Sequence, residues 1–290
     1  LLVIARPNND PPLGVLLVGH GTRDERGTCE FFELSNRLQD RLAGKAQICP
    51  CLLEFQTPTI EQAWQTLGGT SSQDIVIAPL LLFAAGHAKS DIPDAVAAAS
   101  KAFPIEGLRS VRSCPPISRQ ADLVDLVRTR LSNVLASTSK DRDQRTAIVL
   151  VGRGSHDPCA SSDMRLLTEI AVRGTSLDAS SPCHQQSLSS QWSITSAGLL
   201  TTFYAMAQPR LPDTLQQIAS SGNFDRIIVQ PHLLFSGRLY DAIERQVKEA
   251  ADRFTEVDFA LGDYLGPCDE VAAAIADRIM QAAEPTHAAS

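Results

Sequence analysis

Two histidines stand where a metal ion or a proton could be handled. His20 lies in G-H-G-T-R-D at the end of an aliphatic run, and His87 lies in F-A-A-G-H-A-K-S-D after a second one. A neutral imidazole is both a ligand for divalent metals and a base near neutral pH. Gly19 and Gly21, on either side of His20, let the chain turn tightly and let a ligand approach the backbone. Glu54, placed at the end of a strand Cys51–Phe55, could bring a carboxylate to the same cleft. Imidazole with carboxylate suits a divalent first-row metal. Plainer readings stay open. A histidine after a strand often serves only as a turn residue, and Glu54 could be a strand-end charge. G-H-G-T-R could cradle a phosphate at a helix N-terminus, although neither common glycine-loop nucleotide spacing is present. Asp24 and Asp91 read as helix N-caps. Cys49 and Cys51 fall on one strand face and read as structural, because no second cysteine pair accompanies them.

The elements that must position these residues occur twice. Residues 13–24 read LGVLLVGHGTRD and residues 146–157 read TAIVLVGRGSHD. DIVIAPLLLFAAG at 74–86 matches DRIIVQPHLLFSG at 225–237, with Asp91 and Asp241 following. LLEFQTPTIEQAWQT at 52–66 matches TFYAMAQPRLPDTLQ at 202–216, where Pro58 and Pro209 correspond. Three matches in one order imply duplication. One-sided helical patterns over Glu30–Leu42, Asp122–Leu135 and Asp269–Met280 alternate with the apolar runs Ile75–Phe83 and Ile148–Val151. That alternation predicts an α/β fold of two units, each with about four parallel strands covered on both faces. The units are expected at 1–140 and 141–290, joined by the polar stretch 136–145. Residues 174–192 read as a surface loop without a counterpart, 1–12 as a loose arm with no signal-peptide pattern, and 282–290 as a frayed tail.

The copies differ where the chemistry would be. Arg153 replaces His20, and a gapped alignment puts Arg238 against His87. Arginine stays protonated and cannot ligate a divalent cation, but it pairs well with carboxylates. The second copy is therefore expected to bind an anionic ligand rather than repeat the metal chemistry. His156 and His232 read as polar neighbours outside the equivalent positions.

Bulk composition narrows the field. The net charge of -7, without a basic run, argues against a nucleic-acid partner. No apolar run reaches the ~20 residues of a membrane span. Seven scattered cysteines suggest reduced thiols and a cytoplasmic setting. Aromatic residues make up 5%, so the core must be aliphatic and alanine-rich.

The segments L-L-V-G-H-G-T-R-D, L-E-F-Q-T-P-T-I and P-L-L-L-F-A-A-G-H-A-K-S-D-I-P resemble the sirohydrochlorin chelatases of the CbiX/SirB type. The resemblance is strong over residues 13–135 and extends to about 282 through the diverged second copy of the long, fused forms. It implies the class II chelatase fold, with the dimer of the short forms fused into one chain acting as a monomer with an internal pseudo-dimer. It also implies insertion of Co2+ or Fe2+ (Ni2+ in some members) into sirohydrochlorin without ATP, in cobalamin or sirohaem biosynthesis. His20 and His87 would then be catalytic and metal-binding, with Glu54 as a third ligand. Arg23, Lys89, Arg153 and Arg238 would bind the carboxylates of this flat, strongly acidic tetrapyrrole. Some long members carry a histidine-rich tail or a C-terminal cysteine motif for an iron–sulfur cluster. The end PTHAAS and the lone Cys268 match neither, so no Fe–S cluster is expected. The alternatives are a chelatase for another tetrapyrrole and a metal or tetrapyrrole carrier without turnover.

Overall fold

The first aliphatic run forms strand β1 (Leu13–Gly19), and both of its faces are covered. Side chains alternate across a strand. Val15 and Leu17 therefore point into one core, and Leu16 and Val18 into another. The computed structural model describes residues 11–83, 90–118, 120–138, 142–174 and 187–284.

After β1 come α1 (Glu25–Arg41), β2 (Ala46–Leu52), α2 (Ile60–Gly68), β3 (Asp74–Pro79), α3 (Ile92–Ala102), β4 (Ser110–Ser113) and α4 (Ala121–Thr138). The second half repeats the pattern with β5 (Thr146–Gly152), α5 (Pro158–Arg173), β6 (Leu199–Phe203), α7 (Leu211–Ser220), β7 (Arg226–Pro231), α8 (Arg238–Arg253), β8 (Asp258–Leu261) and α9 (Asp269–Ala283). A short helix, α6 (Leu188–Gln191), precedes β6. Each half builds a four-stranded parallel sheet, ordered β2-β1-β3-β4 and β6-β5-β7-β8. This is the duplicated α/β fold read from the sequence. The corresponding Thr57–Pro58 and Gln208–Pro209 bonds are both cis.

The core is layered. Helices α2 and α3 cover the outer face of the first sheet, and α7 and α8 cover that of the second. The inner faces share one apolar core with α1, α4, α5 and α9, in which Val15, Leu17 and Val76 belong to the same cluster as Ile148, Leu150 and Ile228. The terminal helices are exchanged. Helix α4 of the first half packs on β7 and β8, and α9 of the second half packs on β3 and β4. Polar contacts fix this exchange. Arg112 Nη1 in β4 donates to the carbonyl of Ala283 at 2.6 Å, and Arg130 Nη2 in α4 donates to that of Leu265 at 3.0 Å.

Several boundaries differ from the sequence reading. Helix α1 begins at Glu25 rather than Glu30, because the Asp24 carboxylate accepts the backbone N–H of Arg26 at 3.0 Å. The strand read as Ile75–Phe83 stops at Pro79, and the one read as Cys51–Phe55 stops at Leu52. The stretch 136–145 begins as helix, since α4 runs to Thr138 and the hydroxyls of Ser137 and Thr138 each donate to the Val134 carbonyl at 2.9 Å. Part of 174–192 is likewise helical, as α6. His87, Lys89, the arm 1–10 and residues 139–141, 175–186 and 285–290 lie outside the described residues. No helix among the described residues is long and apolar enough to cross a membrane.

Candidate active site

Strands β1 and β5 end in the same tight turn. Gly21 has φ +88° and Gly154 φ +91°, a region that costs glycine nothing. A side chain on Gly21 would overlap the carbonyl of Glu54, and one on Gly154 would overlap that of Ala205. The loop after β2 crosses here, its Leu53 N–H donating to Gly19 O at 2.9 Å and its Glu54 N–H to His20 O at 3.1 Å. The loop after β6 repeats this, with Tyr204 N–H on Gly152 O and Ala205 N–H on Arg153 O, both at 2.8 Å. Arg153 thus occupies the place of His20, as the repeat alignment has it.

Both turns open into one cleft of about 590 Å³ between the halves. That volume suits a small-molecule or cofactor ligand, and the walls are mainly apolar with a few converging polar groups. His20 enters from the first half, half-buried, with Nδ1 at 3.2 Å from Gly21 O. Arg153 and His156 enter from the second half, both exposed at the mouth.

The remaining candidates lie elsewhere. Glu54 follows the end of β2, and its exposed side chain is outside the cleft lining. Its backbone N–H, on His20 O, is the part that reaches the turn. Arg23 is exposed and rests its guanidinium over the Phe55 ring, 4.8 Å from the centroid. Arg238 is exposed at the first position of α8, near Asp24, and Leu239 rather than Arg238 faces the cleft. Asp24 caps α1, and its hydrogen bonds from Arg26 hold its carboxyl below the usual carboxylate range. Asp91 lines the cleft at the N-cap position of α3 but makes no capping hydrogen bond there; its carboxylate instead accepts Ser90 Oγ at 3.1 Å. Asp241 lies in the first turn of α8 and pairs with Arg26 across the halves at 2.8 Å. Cys49 and Cys51 are buried on one face of β2, where burial pushes the Cys49 thiol up to about 11 and that of Cys51 higher still. That environment suits packing better than ligation. Among the described residues, no three His, Cys, Asp or Glu side chains gather in a metal-binding group.

His232 is the residue whose place the sequence reading missed. Its backbone N–H donates to Val151 O at 2.8 Å, just as that of Leu80 donates to Val18 O at 2.8 Å, so an imidazole takes the place of a leucine. The ring is 2% exposed, lines the cleft, and lies 5.3 Å from the Phe83 ring. Neither ring nitrogen has a hydrogen-bond partner among the described residues. Burial pushes its pKa down to about 3. Each unpaired buried polar atom costs on the order of 1–3 kcal/mol. The signal was visible: in the paired runs IVIAPL and IIVQPH, the polar residue stands against an apolar one.

The CbiX family model matches residues 14–134 and again 147–282. A sirohydrochlorin cobaltochelatase of Priestia megaterium is 27% identical over 87% of this chain and 74% of its own length. A sirohydrochlorin ferrochelatase of the same organism is 28% identical over 89% of this chain and 86% of its own length. Among solved structures, SirB from Bacillus subtilis with Fe3+ superimposes with a TM-score of 0.74 over 94% of this chain and 96% of that one, at 23% identity, which supports the shared fold. With both halves matched separately by one family, on a fold already seen to be duplicated, the chain belongs to the CbiX family as a tandem of two units.

Proposed function

We propose that this chain inserts Co2+ or Fe2+ into sirohydrochlorin without ATP, in cobalamin or sirohaem biosynthesis. The observation that carries this reading is the asymmetric cleft, with His20 on one wall and Arg153 at the equivalent point of the other. A flat macrocycle must lose two N–H protons as it takes up a dication. A neutral imidazole can ligate the incoming metal or accept a proton. His20, with His87, takes those roles here, and metal and macrocycle are both substrates. A guanidinium stays charged and pairs with carboxylates in fork geometry. Arg153 therefore holds a carboxylate of the acidic rim at the mouth, Arg23 and Arg238 form an outer basic set, and Lys89 is a further carboxylate partner. Glu54 supports His20 through its backbone, with its carboxylate free to meet the metal on its way in. The two halves supply both walls, so the protein works as a monomer with an internal pseudo-dimer.

The test is the absorbance of sirohydrochlorin mixed with metal-free protein and Co2+ or Fe2+. Catalysis gives a spectral change that continues past one equivalent, and His20→Ala slows it by at least about 100-fold with an unchanged far-UV circular dichroism spectrum. A change that stops at one equivalent identifies a carrier instead. A rate no faster than metal and macrocycle alone overturns the proposal.

A further inference from the structure

The buried imidazole of the second wall is not used by that mechanism. His232 lines the cleft with its ring beside that of Phe83, and neither ring nitrogen has a partner among the described residues. The structurally equivalent Leu80 shows that an aliphatic side chain satisfies the same backbone position. An orphaned buried donor or acceptor destabilises a fold unless something pairs with it. Among the described residues nothing pairs with the ring, and it lines the cleft, which points to the cleft's occupant as its partner.

We propose that His232 is a binding residue that donates a ring N–H to a carboxylate arm of the occupant, where that arm enters the apolar part of the second wall. The proposal rests on the tetrapyrrole reading above. Burial keeps the ring neutral, so it supplies a hydrogen-bond donor without a fixed charge. A carboxylate entering apolar surroundings needs such a donor to offset its lost hydration. Arg153 anchors the acidic rim at the exposed mouth, and His232 anchors it at depth. The pair would favour a macrocycle with carboxylate arms on more than one edge over one with an apolar edge.

Metal-free protein is titrated with sirohydrochlorin and with its fully esterified form, and binding is read from macrocycle absorbance. His232→Leu should weaken sirohydrochlorin binding roughly 10- to 100-fold, the range for a lost hydrogen bond to a charged group. It should also raise the thermal midpoint, since it removes the orphaned nitrogens. His232→Gln, which keeps an N–H donor, should recover part of the affinity. Esterification should cost the wild type more affinity than it costs His232→Leu, because the contact is already absent in the variant. Equal binding by wild type and His232→Leu overturns this inference alone, as does an equal esterification penalty in both. A lowered thermal midpoint in His232→Leu also overturns it, because the imidazole would then be a structural group. Failure of the wild type to bind sirohydrochlorin at all overturns the functional reading, and this inference with it.

Discussion

Gly21 and Gly154 carry the turns that aim His20 and Arg153, and each does so for a steric reason. Both adopt left-handed backbone, and both have a carbonyl from the crossing loop where a side chain would go. Gly21→Ala should therefore cost about 2–3 kcal/mol. A shift in urea midpoint at constant m-value would measure it, and an unchanged midpoint would refute the account. His232 sets a second residue-scale expectation. The unfolded chain protonates this imidazole near the ordinary value of 6.5, and the folded chain holds it neutral down to about 3. The proton-linked penalty on the fold is thus absent above pH 6.5 and grows as the pH falls towards 3. The slope approaches ~1.4 kcal/mol per pH unit in that window. His232→Leu should lose less stability than the wild type between pH 7 and pH 5, measured by urea unfolding at both. Parallel losses would show that His232 is not protonated on unfolding.

At the scale of elements, the exchanged helices carry the consequence. Ile279 of α9 is fully buried, in a helix that lies on the first half's sheet. Ile279→Ala should cost about 2–5 kcal/mol through lost burial and the cavity left behind. The ion pairs between the halves are a different matter. Arg26 and Asp241 are both about half exposed, and so is Arg37 opposite a largely exposed Asp269. Arg26→Ala should change stability by less than about 1 kcal/mol. Calorimetry on both variants would test this ranking, and a larger loss for Arg26→Ala would reverse it. The sequence made the elements legible but not their partners. The runs ending in Val18 and Val151 announced strands because both faces of each are covered, and Phe31, Leu34 and Leu38 announced a one-sided helix. The apolar face of α9 says that it is buried. It cannot say on which sheet, because that is decided by contacts far apart in the chain. The strand end before Glu54 was misplaced for a related reason. An aliphatic run does not reveal where the chain must leave the sheet to cross Gly21. At the site, His20 and Arg153 were legible because the repeat aligns without a gap there, whereas Arg238 needed a gap and falls on a helix start outside the cleft lining.

The whole molecule is two copies that share a core. Each sheet's inner face belongs to one apolar cluster fed by helices of both halves, and the exchange leaves each half covering part of the other. A chain built this way should unfold in one step, because opening either half exposes apolar surface of both. The two tryptophans allow a direct test. Trp64 is fully buried against the outer helices of the first half and donates Nε1–H to Phe103 O at 3.0 Å. Trp192 lies in the second half, with the guanidiniums of Arg142 and Arg226 at 5.4 and 5.2 Å from its ring. Trp192→Phe leaves fluorescence reporting the first half alone, and Trp64→Phe the second. In each variant the fluorescence midpoint in urea should coincide with the midpoint from far-UV circular dichroism, which reports the whole chain. Separate midpoints, or a plateau between two transitions, would mean that each half holds its fold without the other. The cleft would then lie between two independently stable walls, free to change their spacing. A single coincident transition means that the wall carrying His20 and the wall carrying Arg153 are held at one spacing by the core beneath them, and that the site loses its geometry only when the entire chain unfolds.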